Sequence, residues 1–404
     1  MRSASLILCL IGNAAMASAF SESSLSEFHE RLVSGRPTTI VCFGDSITGA
    51  YYHTGGQRAW CDMLGIALQK AQPGAKPLMI NAGLSGHTTV NALARIDHDV
   101  LAHQPQLVVV MFGMNDVTRV PIDQYEANLR TIVQKCRDIK AAVVLCTPNS
   151  VLENTDRPNS KLADYSRIVR RIADEQQLPL ADCFEHYQQL RKQNELKWSL
   201  LMSDAIHPNM TGHRRFAELI ANTILNRDVS LDGTPAPDDA LSHTLARLSD
   251  GQPVRIVAMP PYDTLFAERL RHHFPDARVQ VTVWPVQDQS MAQLAVWGQR
   301  IRGLKPDLVI PAVPQAAVSG RPETWIADYE WVLNYSFAFS GRPWDVVPVL
   351  PLSGTPTSDS EQTNSAIARQ IVVGKDVAFV ERPADDKRSP EDIVNDWIDA
   401  QQLR

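Results

Sequence analysis

Through the first half of the chain, short apolar runs alternate with stretches of helical period. Ile40 to Phe43 is a run long enough for a buried strand and stops at Gly44-Asp45-Ser46. Trp60, Met63, Leu64, Ala67 and Leu68 then recur at helical spacing. Leu78 to Ile80 is a second run, followed by a helix expected from about Thr88 to Ala102. Gln106 to Phe112 and Ala141 to Cys146 read as strands rich in β-branched residues. Tyr125 to Ile139 and Ala163 to Gln176 read as amphipathic helices, and Pro179 to Cys183 as a fifth strand. A final helix carries Phe216, Leu219, Ile220 and Ile224, with Asn209 or Thr211 as its cap. Strands alternating with helices predict an α/β fold, a parallel sheet with helices on both faces.

The pattern changes after about Arg227. Residues 230–242, rich in Pro, Gly, Asp and Ser, read as a linker or surface crossing between a domain at 20–229 and another at 243–404. The later part repeats the earlier one in order. Pro253 to Ala258 echoes Pro37 to Cys42, Lys305 to Ile310 echoes Gln104 to Val109, and Asp345 to Pro351 echoes Ala142 to Pro148. These echoes predict a second, diverged copy of the same α/β unit. In the register they suggest, Tyr262 stands for Ser46, Trp284 for Gly83, Ala316 for Asn115 and Ser389 for the later His207. The second copy would then lack a site. Six of the eight Trp residues lie there, and aromatic faces serve either core packing or stacking on sugars.

With 404 residues, 44% hydrophobic and 21% charged, the chain has material for two globular domains. A net charge of −6 argues against general attraction to nucleic acid or anionic membranes. Residues 1–19 read as an export signal: Arg2, an apolar core from Ala4 to Ile11, and Ala17-Ser18-Ala19 before Phe20. The expected location is therefore periplasmic or extracellular. Cys9 falls inside this leader, and Leu8 before it argues against a lipid anchor. Cys42, Cys61, Cys136, Cys146 and Cys183 remain, with no zinc or redox spacing. They leave room for one disulfide whose partners the sequence does not select. Cys42 and Cys146 sit in apolar runs, as buried thiols do.

The candidate chemistry lies at strand ends and in one late loop. Ser46 sits where open α/β sheets place their sites, with a helix following. A serine needs a base, and His207 supplies one. Asp204, three residues earlier in the same turn, can orient the other ring nitrogen. An acyl-transfer intermediate carries an oxyanion. The N–H groups of Ser46 and Gly83 and the Asn115 side-chain amide are candidate donors.

Four blocks, Gly44-Asp45-Ser46-Ile47-Thr48, Asn81-Ala82-Gly83-Leu84-Ser85-Gly86, Gly113-Met114-Asn115-Asp116 and Asp204-Ala205-Ile206-His207, occur in this order. Together they resemble the SGNH (GDSL-type) hydrolase family, over about the first half of the mature chain. The resemblance implies a flavodoxin-like three-layer fold and serine esterase chemistry without metal or other cofactor. It carries the nucleophile to Ser46, the base to His207, the orienting acid to Asp204, and oxyanion donors to Gly83 and Asn115. The expected substrate is a small-molecule or glycan ester, with an acetyl ester of extracellular carbohydrate favoured. A lipase or thioesterase of the same chemistry and a non-catalytic carbohydrate-binding protein are the alternatives.

The remaining polar residues have milder readings. His87 is a candidate for the pocket rim, and Tyr51, Tyr52 and His53 belong to a solvated loop beside the nucleophile. His213 is expected on a helix surface, as are His272 and His273 in the second half.

Overall fold

The computed structural model describes residues 25–237, 239–351, 358–383 and 385–402; the expected leader and Cys9 lie outside them. The first half is built on β1 (Pro37–Gly44), β2 (Lys76–Gly83), β3 (Leu107–Met111), β4 (Ala142–Cys146) and β5 (Leu180–Ala181). All four pairings are parallel, and the strand order is β2-β1-β3-β4-β5. β3 and β4 are buried along their whole length, which is why both read as unbroken apolar runs. The longer helices are α1 (Trp60–Ala71), α2 (Thr89–Asp99), α3 (Ile122–Asp138), α4 (Asn159–Glu175), α5 (Cys183–Gln193) and α6 (Met210–Leu225). The expected fifth strand is present but short. Asp182 ends it by capping α5, its side chain accepting from the Glu185 N–H.

The second half repeats the plan with β6 (Val254–Ala258), β7 (Val279–Val283), β8 (Leu308–Ile310) and β9 (Asp345–Val346). Their order, β7-β6-β8-β9, is that of the first four strands of the other sheet, again all parallel. Its helices include α7 (Tyr262–His273), α8 (Met291–Gly298), α9 (Ile326–Ser336), α10 (Asp359–Val373) and α11 (Pro390–Gln402). Each half has its own core. Leu231 packs in the first and Leu241 in the second.

The strand order meets the expectation of a repeat, but the ladders correct its register. Gly44 pairs with Gly83 and Met111, and Ala258 pairs with Val283 and Ile310. Ala258 therefore takes the place of Gly44. Counting onward, Pro260 stands at the position of Ser46 and Pro314 at that of Asn115, each two residues before the residue the echoes suggested. Val283, not Trp284, matches Gly83. Trp284 donates its N–H to Ala258 O as Leu84 does to Gly44 O. Prolines at those two positions offer neither a nucleophile nor an amide donor. Ser389 caps α11 through Asp392. Trp284 is buried and stacks on Trp297 at 5.2 Å, so the pair serves core packing.

The halves are joined by buried polar contacts. Arg58 holds Asp376 through Nε at 2.7 Å and Nη2 at 2.8 Å, and Arg214 reaches the same carboxylate at 3.0 Å. Met210 N–H donates to Gly374 O at 2.7 Å. Gly55 has φ +82°, and a Cβ there would lie 1.9 Å from Lys375 O, so only glycine permits this approach.

Candidate active site

β1 delivers Ser46 to the carboxyl edge of the first sheet by way of a tight turn. Thr48 and Gly49 N–H both donate to Asp45 O, and Ile47 N–H donates to Asp45 Oδ1. Gly44 is required beneath this turn, since a Cβ would meet Thr48 Oγ1 at 2.0 Å and Met111 O at 2.7 Å. The Ser46 N–H makes no hydrogen bond among the described residues.

Asp204 and His207 come from the loop that precedes α6. Ser203 N–H donates to His207 O at 2.8 Å, closing the turn. Asn209, the cap of α6, fixes its far end by accepting from Gly212 N–H and donating to Leu200 O. The fold thus brings together residues 161 positions apart: Ser46 Oγ lies 2.9 Å from His207 Nε2. His207 Nδ1 lies 2.8 Å from Asp204 Oδ2 and 3.1 Å from Oδ1. Asp204 also accepts from the N–H groups of Ile206 and His207. Both of these donate to Oδ1, so backbone groups as well as the imidazole meet the buried charge.

These contacts set the protonation states. Burial would raise the Asp204 carboxyl, but the His207 charge and the hydrogen bonds hold it well below the usual carboxylate range. Burial would lower the His207 imidazole, yet Asp204 and, less strongly, Asp45 leave it above its ordinary value. Asp45 is pushed up to about 7 by burial, against the Ile47 hydrogen bond and the nearby His207. A serine hydroxyl, an imidazole with a bonded carboxylate and a sheltered edge suit proton removal from Ser46 and its attack on an acyl carbon.

The expected oxyanion donors are placed differently. Gly83 N–H donates to Asn81 Oδ1 at 3.0 Å, and Asn81 Nδ2 donates to Thr48 O, which fixes the amide orientation. Gly83 is therefore already engaged. Its need for glycine is steric, because a Cβ would lie 2.3 Å from Gly49 N and 2.6 Å from Thr48 C. Gly83→Ala should thus push the nucleophile turn out of place. A fall in kcat together with a lowered Tm would show it, whereas an unaltered enzyme would contradict this packing argument. In the same block Gly86, at φ +77°, makes no N–H hydrogen bond among the described residues.

Asn115 lies against the turn holding Gly86. Its Nδ2 donates to His87 O at 3.1 Å and, at a longer 3.3 Å, to Asp45 Oδ2. Its Oδ1 accepts from Arg119 at 3.2 Å and from Arg157 at 3.5 Å, and Arg119 also donates to Gly86 O. The two arginines carried no signal in the sequence blocks. His87 is half-buried, and burial lowers its pKa.

Three aromatic neighbours depart from the solvated-loop and helix-surface expectations. His53 is fully buried and stacks on the His207 ring at 4.7 Å with 12° between planes. Burial and the nearby His207 keep it neutral, well below its ordinary pKa. His213 is also fully buried, held down to about 3 by burial, and its Nδ1 accepts from Trp60 N–H. Tyr52 OH donates to Asp204 Oδ2 at 2.9 Å. His272 is exposed as expected, but His273 is half-buried and bonds Asp399 at 2.8 Å. Among the described residues no cluster of side chains is suited to a metal ion, and all five cysteines are free and buried.

Residues 42–215 match the model of the GDSL-like lipase/acylhydrolase family. The chain is similar to an acetylxylan esterase of Geobacillus stearothermophilus, 31% identical over 169 residues that cover 39% of this chain and 76% of that protein. It is also similar to thioesterase 1/protease 1/lysophospholipase L1 of Escherichia coli K12, 29% identical over 46% of this chain and 83% of the relative. A third relative is the isoamyl acetate-hydrolyzing esterase 1 homolog of Rattus norvegicus, 28% identical over 43% and 76% respectively. On this similarity, the chain belongs to the GDSL-like lipase/acylhydrolase family and is a carboxylic ester hydrolase.

Proposed function

We propose that the protein hydrolyses acetyl esters of carbohydrate outside the cytoplasm, through an acyl-enzyme on Ser46. The observation that carries the mechanism is the continuous hydrogen-bonded line from Ser46 Oγ through His207 to Asp204. His207 takes the hydroxyl proton as Ser46 attacks, and Asp204 stabilises the imidazolium that results. His207 then gives the proton to the departing alcohol, and water repeats the sequence to release acetate. The N–H of Ser46 is an oxyanion donor in this reading, with the Asn115 amide a second once its longer bond to Asp45 is exchanged. No metal or organic cofactor takes part.

The acetyl-carbohydrate preference is supported by the similarity to an acetylxylan esterase. Export is supported by the leader pattern in residues 1–19. Similarity to a protein named as thioesterase and lysophospholipase supports a second reading, in which longer acyl groups are accepted. Comparing p-nitrophenyl acetate with longer-chain p-nitrophenyl esters and with acetylated xylan tests both. Acetate release from xylan and loss of rate beyond short chains are expected. Preference for long chains would overturn the carbohydrate reading. Failure to react with a fluorophosphonate probe would overturn the serine mechanism.

The pH dependence follows from His207, which must be neutral to act as base. Its pKa is raised, so the imidazolium persists to higher pH and kcat/KM should fall on acidification at a pH above the ordinary histidine value. An acid limb below that value would contradict the Asp204–His207 coupling.

A further inference from the structure

Tyr52 belongs to the first half but is held largely by the second. Its N–H donates to Phe339 O at 3.1 Å, and its ring stacks on Trp331 of α9 with centroids 6.1 Å apart. Arg302 lies over the ring, 5.3 Å from its centroid, and is itself fixed by hydrogen bonds to Phe337 O and Asn334 O. With the ring so gripped, the hydroxyl points at Asp204 Oδ2, the oxygen nearest His207 Nδ1.

The same helix makes a second tie, one residue before Asp204. Ser203 Oγ donates to Asn334 Oδ1 at 2.8 Å, and Asn334 Nδ2 donates back to Ser203 O at 2.8 Å. Lys375 Nζ donates to both Ser203 Oγ and Asn334 Oδ1, and pairs with Glu330 at 2.6 Å. Lys375, Ser203 and Asn334 are all fully buried. A lysine is rarely buried without a partner, and here the partner and acceptors all lie at the junction of the halves.

We infer that the second half, which has prolines at the positions matching Ser46 and Asn115, is a positioning element for the first: α9 acts through Tyr52 and Ser203 to hold Asp204 against His207. This rests on the serine-esterase reading above. Tyr52 is a positioning residue. It touches Asp204 and leaves the reacting atoms to Ser46 and His207. Two groups joined at 2.8 Å lose rate quickly when either is free to swing, which gives the second half a reason to pack there.

The test compares the full-length protein with Tyr52→Phe, Trp331→Ala and Trp331→Phe, using p-nitrophenyl acetate and active-site titration with a fluorophosphonate to count competent enzyme. Tyr52→Phe removes one oxygen and keeps the packed ring. Its kcat should fall about tenfold with KM changed by less than about twofold. The acid limb should also move. Asp204, Asp45, Arg157 and the neutral His53 and His213 all face His207, and Lys375 acts on Asp204. Of these only Asp204 loses a donor in Tyr52→Phe. Its carboxylate is then free to move off Nδ1 and holds the imidazolium less strongly, and the limb should shift to lower pH by about half a unit. A merely structural role would leave the limb in place.

Trp331→Ala should show the same signature more weakly, and Trp331→Phe, which keeps an aromatic face, should restore the wild-type profile. An active wild type whose Tyr52→Phe and Trp331→Ala variants keep kcat within twofold and an unmoved limb would overturn this inference alone. A wild type that neither labels nor hydrolyses ester would overturn the serine mechanism and this inference with it.

Discussion

Ser46→Ala is expected to lower kcat by on the order of a thousandfold or more while leaving the fold intact. Among the described residues, the hydroxyl is the only part of Ser46 bonded to another side chain, at 2.9 Å from His207 Nε2. The turn that presents it is built from the carbonyl and carboxylate of Asp45, and none of its three hydrogen bonds uses Ser46. Alanine therefore removes the attacking atom and little else. The decisive measurement is turnover of p-nitrophenyl acetate by variant protein with an unaltered Tm. Near-normal turnover would exclude Ser46 as nucleophile.

Removing the base is expected to cost nearly as much, and removing its partner less. In His207→Ala no other group among the described residues hydrogen-bonds Ser46 Oγ, and the buried His53 and His213 are kept neutral without bonding that atom. In Asp204→Asn the loop keeps its shape, since an amide oxygen still accepts from Ile206 and His207 N–H. The loss is then of imidazolium stabilisation and of the fixed tautomer, with the imidazole still present. Full kinetic profiles of the two variants should rank Asp204→Asn above His207→Ala in residual kcat. The reverse order would assign the proton to Asp204 and contradict the division of labour between base and orienting acid. The acid limb should disappear in His207→Ala.

Much of the first half was legible because each strand is an apolar run and each helix keeps its period. The triad residues were legible for a similar reason: Ser46 and the Asp204–His207 turn are local features whose chemistry shows in a few adjacent letters. What surrounds them was not. Tyr52 and His53 read as solvated because nothing near them in sequence covers them. Their cover comes from Phe339 and Trp331 for Tyr52, and from His207 and His213 for His53. His213 is a polar residue on a helix, and its buried ring nitrogen finds its partner in the Trp60 N–H, 153 positions away. Gly83 was assigned a donor's role, whereas its N–H satisfies Asn81 and its missing side chain makes room for Gly49. In the second half the echoes gave the right strands but a register shifted at three positions, because short Pro-polar-apolar motifs align equally well a residue or two apart.

The distribution of thiols and indoles gives the molecule two built-in reporters. All five described cysteines are buried in the first half, and no cysteine occurs after Cys183. Six of the eight tryptophans lie in the second half, Trp284 and Trp325 deeply buried. A thiol reagent added to the native protein should therefore react only as fast as the first half opens, while tryptophan emission follows mainly the second. If the halves open as one unit, the two signals will share one denaturant midpoint. If the junction yields first, they will separate, and the order in which they do so will show which half holds the other closed.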